Sequence, residues 1–293
     1  MNVQRPRTPA NGCRILLESI MPIGSSTAAK RLAQSSIRAC SQLFAVPATE
    51  VLLSGAAAYI NAICGLGWSP SLELEARNAA GWIPRGHEYT VIDAGANIGS
   101  WTSLFLEHAA DCTGTIYALE PQPAAAARIR ALDLKCCEVL ELALGEQPGR
   151  ATFHTSGPLD TTGSLFDRGD TYGRGRAYNS FEVEVVRLDD LVQSRGLERI
   201  DFLKMDLEGA EYQALKGAAE CLRSRTIRAL SFEFGTSNVN ARVFFREIYD
   251  LLAGSGFAIF RVTPAGRLMP ISAYAEDFEC FARTTTYFAR LEG

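Results

Sequence analysis

The residues able to do chemistry recur at one kind of place, the end of a short apolar run. Val91-Ile92 leads into Asp93, Thr115-Ile116-Tyr117-Ala118-Leu119 into Glu120, Phe202-Leu203-Lys204-Met205 into Asp206, and Leu230-Ser231-Phe232 into Glu233. A carboxylate there can accept hydrogen bonds from hydroxyl or ammonium groups, or take a proton. Asp93 is followed by Ala94-Gly95-Ala96-Asn97-Ile98-Gly99 and then by an apolar pattern with helical spacing from Ser100 to Leu106. That is the order strand, tight turn, helix, with glycine where the backbone must bend or let a ligand approach and with unpaired N–H groups at the helix start.

The elements that must position these residues can be taken in chain order. Thr115 to Glu120 is a second strand, and Pro121-Gln122-Pro123 opens an alanine-rich helix to about Leu132, proline being tolerated in a first turn. Glu138 to Leu144 is a third strand, closed by Gly145. The period then changes to two, so Ala151–Thr155 and Phe181–Arg187 form a β-hairpin insertion around the long loop Gly157 to Asn179. Ile200 to Asp206 is the fourth strand, with a helix from Leu207 to about Leu222, and Ile227 to Phe234 is the fifth. A helix near Arg242 to Leu252, a strand at Phe257 to Val262, and closing strands at Phe278–Phe281 and Thr286–Phe288, one of them antiparallel, complete the pattern. Strands alternating with helices predict a doubly wound, mostly parallel, seven-stranded α/β sheet. In such sheets ligands bind outside the carboxyl ends of the strands, where the acids stand.

The N-terminal third is different. Residues 1–45 are basic, with Glu18 the one acid, and read as a flexible tail. Residues 46–88 read as a helical lead-in: a buried helix from Val51 ending at Gly65 or Gly67, then Leu72 to Trp82 with Glu73, Glu75 and Arg77 exposed. Val51 to Trp68 is apolar, yet three glycines, an asparagine and a marginal length argue against a membrane span, which needs about 20 mainly apolar residues. The chain has 293 residues, 47% hydrophobic and 21% charged, which suits one medium α/β domain with a smaller attachment. A net charge of -4 makes no electrostatic case for nucleic acid or an anionic membrane as partner. Eight cysteines without a C-x-x-C pair point to reduced thiols and a cytoplasmic protein.

The first turn separates cofactors. A dinucleotide fingerprint reads G-x-G-x-x-G, but here Asn97 takes the middle position and Asp93 opens the turn, and a carboxylate would repel a pyrophosphate. Glu120 ends the second strand, where an acid accepts both hydroxyls of a ribose. An amino-acid cation at Asp93 and a ribose at Glu120 belong together in S-adenosylmethionine. The blocks Val91 to Gly99, Tyr117 to Pro121, Ala143-Leu144-Gly145, Leu188-Asp189-Asp190-Leu191 and Ile200 to Glu211 resemble, in that order, the FkbM family of class I S-adenosylmethionine-dependent methyltransferases. The resemblance runs from about residue 89 to 290.

It implies O-methylation of a hydroxyl on a sugar, glycolipid or polyketide-type small molecule by a methyltransferase domain over 89–293. Carried over by position, Asp93, Gly95, Ala96, Asn97 and Gly99 hold the methionine part and Glu120, next to Pro121, the ribose. Ala143 and Leu144 lie along the adenine, and Asp206 sits beside the sulfonium. Thr161-Thr162-Gly163-Ser164-Leu165 then places the inserted loop over the acceptor pocket as a lid. A base is needed for an ordinary alcohol; Asp206 ranks first by position, ahead of Glu208 and Lys204, with His154 last. Lys204 could instead only pair with an acid, and Glu211 is mainly structural. Asp206, Glu233 and Asn238 form an oxygen-rich alternative able to take Mg²⁺. The competing functions are an NAD-dependent oxidoreductase and a non-catalytic nucleotide-binding module on the same fold.

Overall fold

In the computed structural model the described residues are 47–84, 86–109, 113–171 and 178–292, so the basic tail and residues 172–177 of the inserted loop lie outside them. The chain divides into two compact units, Met1–Tyr59 and Ile60–Gly293. Of the first, only the start of helix α1 (Pro47–Ile63) is described. That helix ends at Ile63 rather than at Gly65 or Gly67, and Tyr59, Ile60 and Ile63 are exposed, not buried as the apolar run suggested. No helix among the described residues is long and apolar enough to cross a membrane.

The larger unit is built on β1 (Glu88–Ala94), β2 (Thr113–Leu119), β3 (Cys137–Leu140), β7 (Phe202–Met205), β8 (Ala229–Phe234), β9 (Phe257–Val262), β10 (Leu268–Ile271) and β11 (Thr285–Leu291). These form an eight-stranded sheet in the order β10-β9-β11-β8-β7-β1-β2-β3. Its central strands are parallel, and β11 lies antiparallel between β8 and β9. The doubly wound, mostly parallel sheet is as the alternation required. It carries one strand more than the seven expected: β10 folds back antiparallel on β9, whereas Phe278–Phe281 enters no strand and begins in a short 3-10 turn.

The expected third strand is split. Glu120 N–H donates to Leu140 O, but the next N–H on that edge, that of Gln122, turns to Glu120 Oε1 instead, and β3 stops. Ala143–Leu144 becomes β4, which pairs parallel to β6 (Asn179–Val186), itself antiparallel to β5 (Gly149–Thr155). The hairpin insertion is therefore a separate three-stranded sheet.

Helices cover both faces. One carries α2 (Leu72–Ala80) and α3 (Ser100–His108), which bury Ala76, Ala79, Trp101 and Phe105 against Val91, Phe202 and Phe288. Trp101 stacks on Phe105 and Phe202, as the helical spacing of Trp101 and Phe105 implied for core residues. On the other face, α5 (Leu188–Arg195), α6 (Glu211–Lys216), α7 (Ala219–Arg223) and α9 (Phe245–Gly254) bury Leu191, Leu215, Leu222 and Phe245 against Ile92, Leu203 and Phe232. The helix expected to reach Leu222 is broken at Gly217, where an added Cβ would stand 2.0 Å from Gly145 O. Two further helices, α4 (Pro123–Ala131) and α8 (Asn238–Ala241), follow β2 and β8.

Candidate active site

β1, β2 and β7 end together on one edge of the sheet, and a cleft opens there between the turn after β1 and the loop after β5. Its walls include Gly95, Ala96, Asn97, Glu120, Pro121, Ala143, Leu144, Lys204, Asp206 and Glu208, gathered from four places in the sequence. Asp160, Thr161, Gly163 and Leu165 of the inserted loop complete it, with Leu72 and Trp101 on the side of α2 and α3.

The turn has the shape its composition required. Gly95 has φ +78, and a Cβ there would lie 1.9 Å from Asp206 O, so the turn passes against the start of the next segment with no room for a side chain. Asn97 has φ +48, a left-handed conformation that asparagine tolerates. Its N–H donates to Glu120 Oε2 at 2.8 Å, and Gln122 N–H donates to Glu120 Oε1 at 2.8 Å. Glu120 thus braces the turn while facing the cleft, and burial raises its carboxyl above the usual range. The side chains of Asn97 and Gln122 both donate to Asp160 O, at 3.1 and 2.9 Å, pinning the inserted loop to the turn.

Asp93 corrects the sequence expectation. It is fully buried and absent from the cleft wall, with its side chain on the sheet face covered by α2 and α3, beside Lys204. There Thr102 Oγ1 donates to its Oδ2 at 2.6 Å, and Lys204 Nζ stands 3.4 Å from its Oδ1. The same ammonium lies 3.4 Å from Asp206 Oδ2 and 6.0 Å from the Trp101 ring centroid. Burial disfavours the charged form, but Asp93 and Asp206, reinforced by Glu75 and Glu233, outweigh it and hold the proton on Lys204 more tightly than on a free lysine. Lys204 is a fixed cation and not a base, which removes it from the proton acceptors. His154 leaves that set too: its backbone pairs with Ser164 and its side chain is absent from the cleft wall. Gly99 is also outside the wall and ends the turn at the start of α3 with φ +82.

Glu208 has φ +50, a strained setting for a residue with a Cβ, and it faces the cleft. Arg168, almost wholly buried, reaches from the inserted loop to Glu208 Oε2 at 2.6 Å, and Ser164 Oγ donates to Glu208 O at 2.8 Å. Burial, then the neighbouring Asp206, push the Glu208 carboxyl up to about 7, with Arg168 acting against them. Arg168 was not foreseen, because it sits in an aperiodic loop where no spacing marks a role. Glu211 accepts the N–H groups of Leu207 and Gly209, at 2.8 and 3.0 Å, and so shapes the turn that presents Glu208.

The Mg²⁺ alternative does not assemble. Asn238 Oδ1 accepts the Gly235 N–H at 2.8 Å, and Glu233 accepts Ser69 Oγ at 3.1 Å and Thr286 Oγ1 at 3.3 Å. Among the described residues no group of three or more His, Cys, Asp or Glu side chains could hold a metal ion.

An open, doubly wound sheet with a glycine turn after β1 and an acid after β2 is the class I methyltransferase architecture. The methyltransferase FkbM domain matches residues 93–259, and the chain belongs to that family. It is 33% identical over 143 residues to the 2-O-methyltransferase NoeI of Sinorhizobium fredii, covering 45% of this chain and 58% of NoeI. To the 31-O-demethyl-FK506 methyltransferase FkbM of Streptomyces tacrolimicus it is 27% identical over 221 residues, covering 67% of this chain and 80% of that protein. The alignment with NoeI therefore spans less than two thirds of that relative's length. Among solved structures, a methyltransferase FkbM from Methylobacillus flagellatus KT aligns with TM-score 0.44 and 14% identity, over 82% of this chain and 60% of that one.

Proposed function

We propose that the protein transfers a methyl group from S-adenosylmethionine to a hydroxyl of a small molecule. The observation that carries this reading is the charge of the cleft: Glu120, Asp160, Asp206 and Glu208 face it, against Lys204 as the cation in its wall. That balance suits a sulfonium and an ammonium and opposes the pyrophosphate of a dinucleotide. The close-packed Gly95 supports the same fit, since it lets a ligand lie directly on the turn. Relatives named as a 2-O-methyltransferase and a 31-O-demethyl-FK506 methyltransferase favour oxygen as the accepting atom.

S-adenosylmethionine supplies an electrophilic methyl on sulfur. The residues of this chain bind, orient and take a proton. The turn from Gly95 to Asn97 and the Glu120 carboxylate hold the amino-acid and ribose parts, with Ala143 and Leu144 beside the base. Asp206, held by Lys204, supplies fixed negative charge at the floor. Glu208 takes the hydroxyl proton: burial and the neighbouring Asp206 raise its carboxyl to about 7, which suits a general base. We therefore place Glu208 ahead of Asp206 in this role. The loop carrying Asp160 to Leu165 closes over the acceptor and limits water, so that placing the partners supplies much of the rate.

Radiolabelled S-adenosylmethionine and a panel of hydroxylated sugars, glycolipids and polyketides test the reading. Label should move to an acceptor bearing a free hydroxyl and not to its O-methyl analogue. Transfer that persists to the blocked analogue would contradict it.

A further inference from the structure

Lys204 lies in the middle of a polar row where an apolar one is expected. Parallel strands covered on both faces read as near-continuous apolar runs. Yet β1, β7 and β8 place Asp93, Lys204 and Ser231 side by side in register, and all three are almost wholly buried. Each must be satisfied from the helices on that face, or the burial of charge is unfavourable by several kcal/mol. Thr102 of α3 serves Asp93. The other end of the row is served from α2, N-terminal to the stretch matched to the family. Glu75, read from the sequence as exposed, is only 6% exposed, and Ser231 Oγ donates to its Oε1 at 3.0 Å. Through that bond its carboxyl stands over the strand position next to Lys204 and interacts with Lys204, Asp206 and Asp93.

α2 is fastened for this task. Ser71 caps its start, Ala76 and Ala79 bury one face, and Asn78 Nδ2 donates to Gly266 O at 2.9 Å. The segment just before it binds the sheet as well, with Gly67 N–H on Thr285 Oγ1 and Ser69 Oγ on Glu233 Oε1. Leu72, at the first position of α2, forms part of the cleft wall.

We propose that Glu75 is a positioning residue of the cofactor cleft: it completes the anionic cage around the Lys204 ammonium and thereby fixes Asp206 and the turn that follows Asp93. The inference rests on the reading of this cleft as an S-adenosylmethionine site. Helix α2 is then part of the working site and not only a cover for the sheet. Burial raises the Glu75 carboxyl to about 7 with Lys204 opposing, as expected of an acid whose one compensating charge is that ammonium.

The sequence holds four lysines, so lysine-selective isotope labelling of the full chain gives a readable spectrum. A buried, paired ammonium exchanges its protons slowly, and Lys204→Arg assigns it, or Lys30→Arg, Lys135→Arg and Lys216→Arg together by exclusion. In Glu75→Gln the Lys204 resonance should shift while those of Lys135 and Lys216 stay, and S-adenosylhomocysteine affinity by calorimetry should fall three- to tenfold. If Glu75→Gln fails to fold, Ser231→Ala, which frees the same carboxyl, should show both changes. An unmoved Lys204 resonance, or an unchanged affinity, overturns the proposal. Failure of the unaltered protein to bind S-adenosylhomocysteine overturns the cofactor reading itself, and is seen before any variant is made.

Discussion

At the scale of single residues, three acids near one another have different work because their surroundings differ. Asp93 is held inside the sheet by the Thr102 hydrogen bond and the Lys204 charge; Asp206 faces the cleft with Lys204 behind it; Glu208 is paired with Arg168 and raised towards neutrality. If Glu208 takes the proton, the rate of methyl transfer should rise with pH through about 7 as that carboxyl ionises, and level off above it. Glu208→Gln should lower turnover by about 100-fold or more while changing S-adenosylhomocysteine affinity less than threefold, measured with an acceptor found by radiolabel screening. Asp206→Asn with turnover as low as that of Glu208→Gln would return Asp206 to the role. Lys204→Met leaves Asp93 buried and uncompensated, which is expected to cost about 3–5 kcal/mol of stability by denaturant titration. The positions of Glu120 and Asp206 were legible because an acid after an apolar run marks a strand end. That Asp93 turns inward was not legible: it depends on which face of β1 the side chain takes and on a lysine distant in sequence.

At the scale of elements, the site is a meeting of three pieces: the turn between β1 and α3, the segment after β7, and the inserted loop. Asp160 O joins loop to turn through Asn97 and Gln122, while Arg168 and Ser164 join loop to Glu208. The turn was readable from Gly95 and Asn97, whose positive φ angles suit those residue types. The loop was readable only as an insertion, since its anchors are single side chains without periodicity. Glu75 was misread because helical spacing alone cannot tell which face of α2 meets the sheet. Strand β10 was missed for a related reason: Leu268 to Ile271 carries a proline and no alternation. Gly95→Ala should abolish cofactor binding or folding, because the new Cβ would overlap Asp206 O; calorimetry and a thermal melt separate the two outcomes. Arg168→Ala should loosen the loop and leave Glu208 without its cation, seen as faster proteolysis between Ser156 and Thr171 and a further rise in the Glu208 pKa.

At the scale of the whole molecule, the alternation of strands and helices fixes the doubly wound sheet, and the ends of its strands fix where the cleft opens. The same architecture buries acids at unusual depth. Glu75 and Glu208 are raised to about 7 and Glu211 to about 8, all from 4.5. Each binds its proton more tightly folded than unfolded, so its contribution to stability is fully present below pH 4.5 and is lost as pH rises to about 7 or 8. Among these groups stability should therefore decline from pH 5 to 8.5, and Glu211→Gln should flatten part of that slope in thermal melts. A single calorimetric titration decides the cofactor. The full chain should bind S-adenosylhomocysteine, and Glu120→Ala should weaken that binding at least tenfold, a loss of about 1.4 kcal/mol. Binding of NADH with no binding of S-adenosylhomocysteine would contradict it.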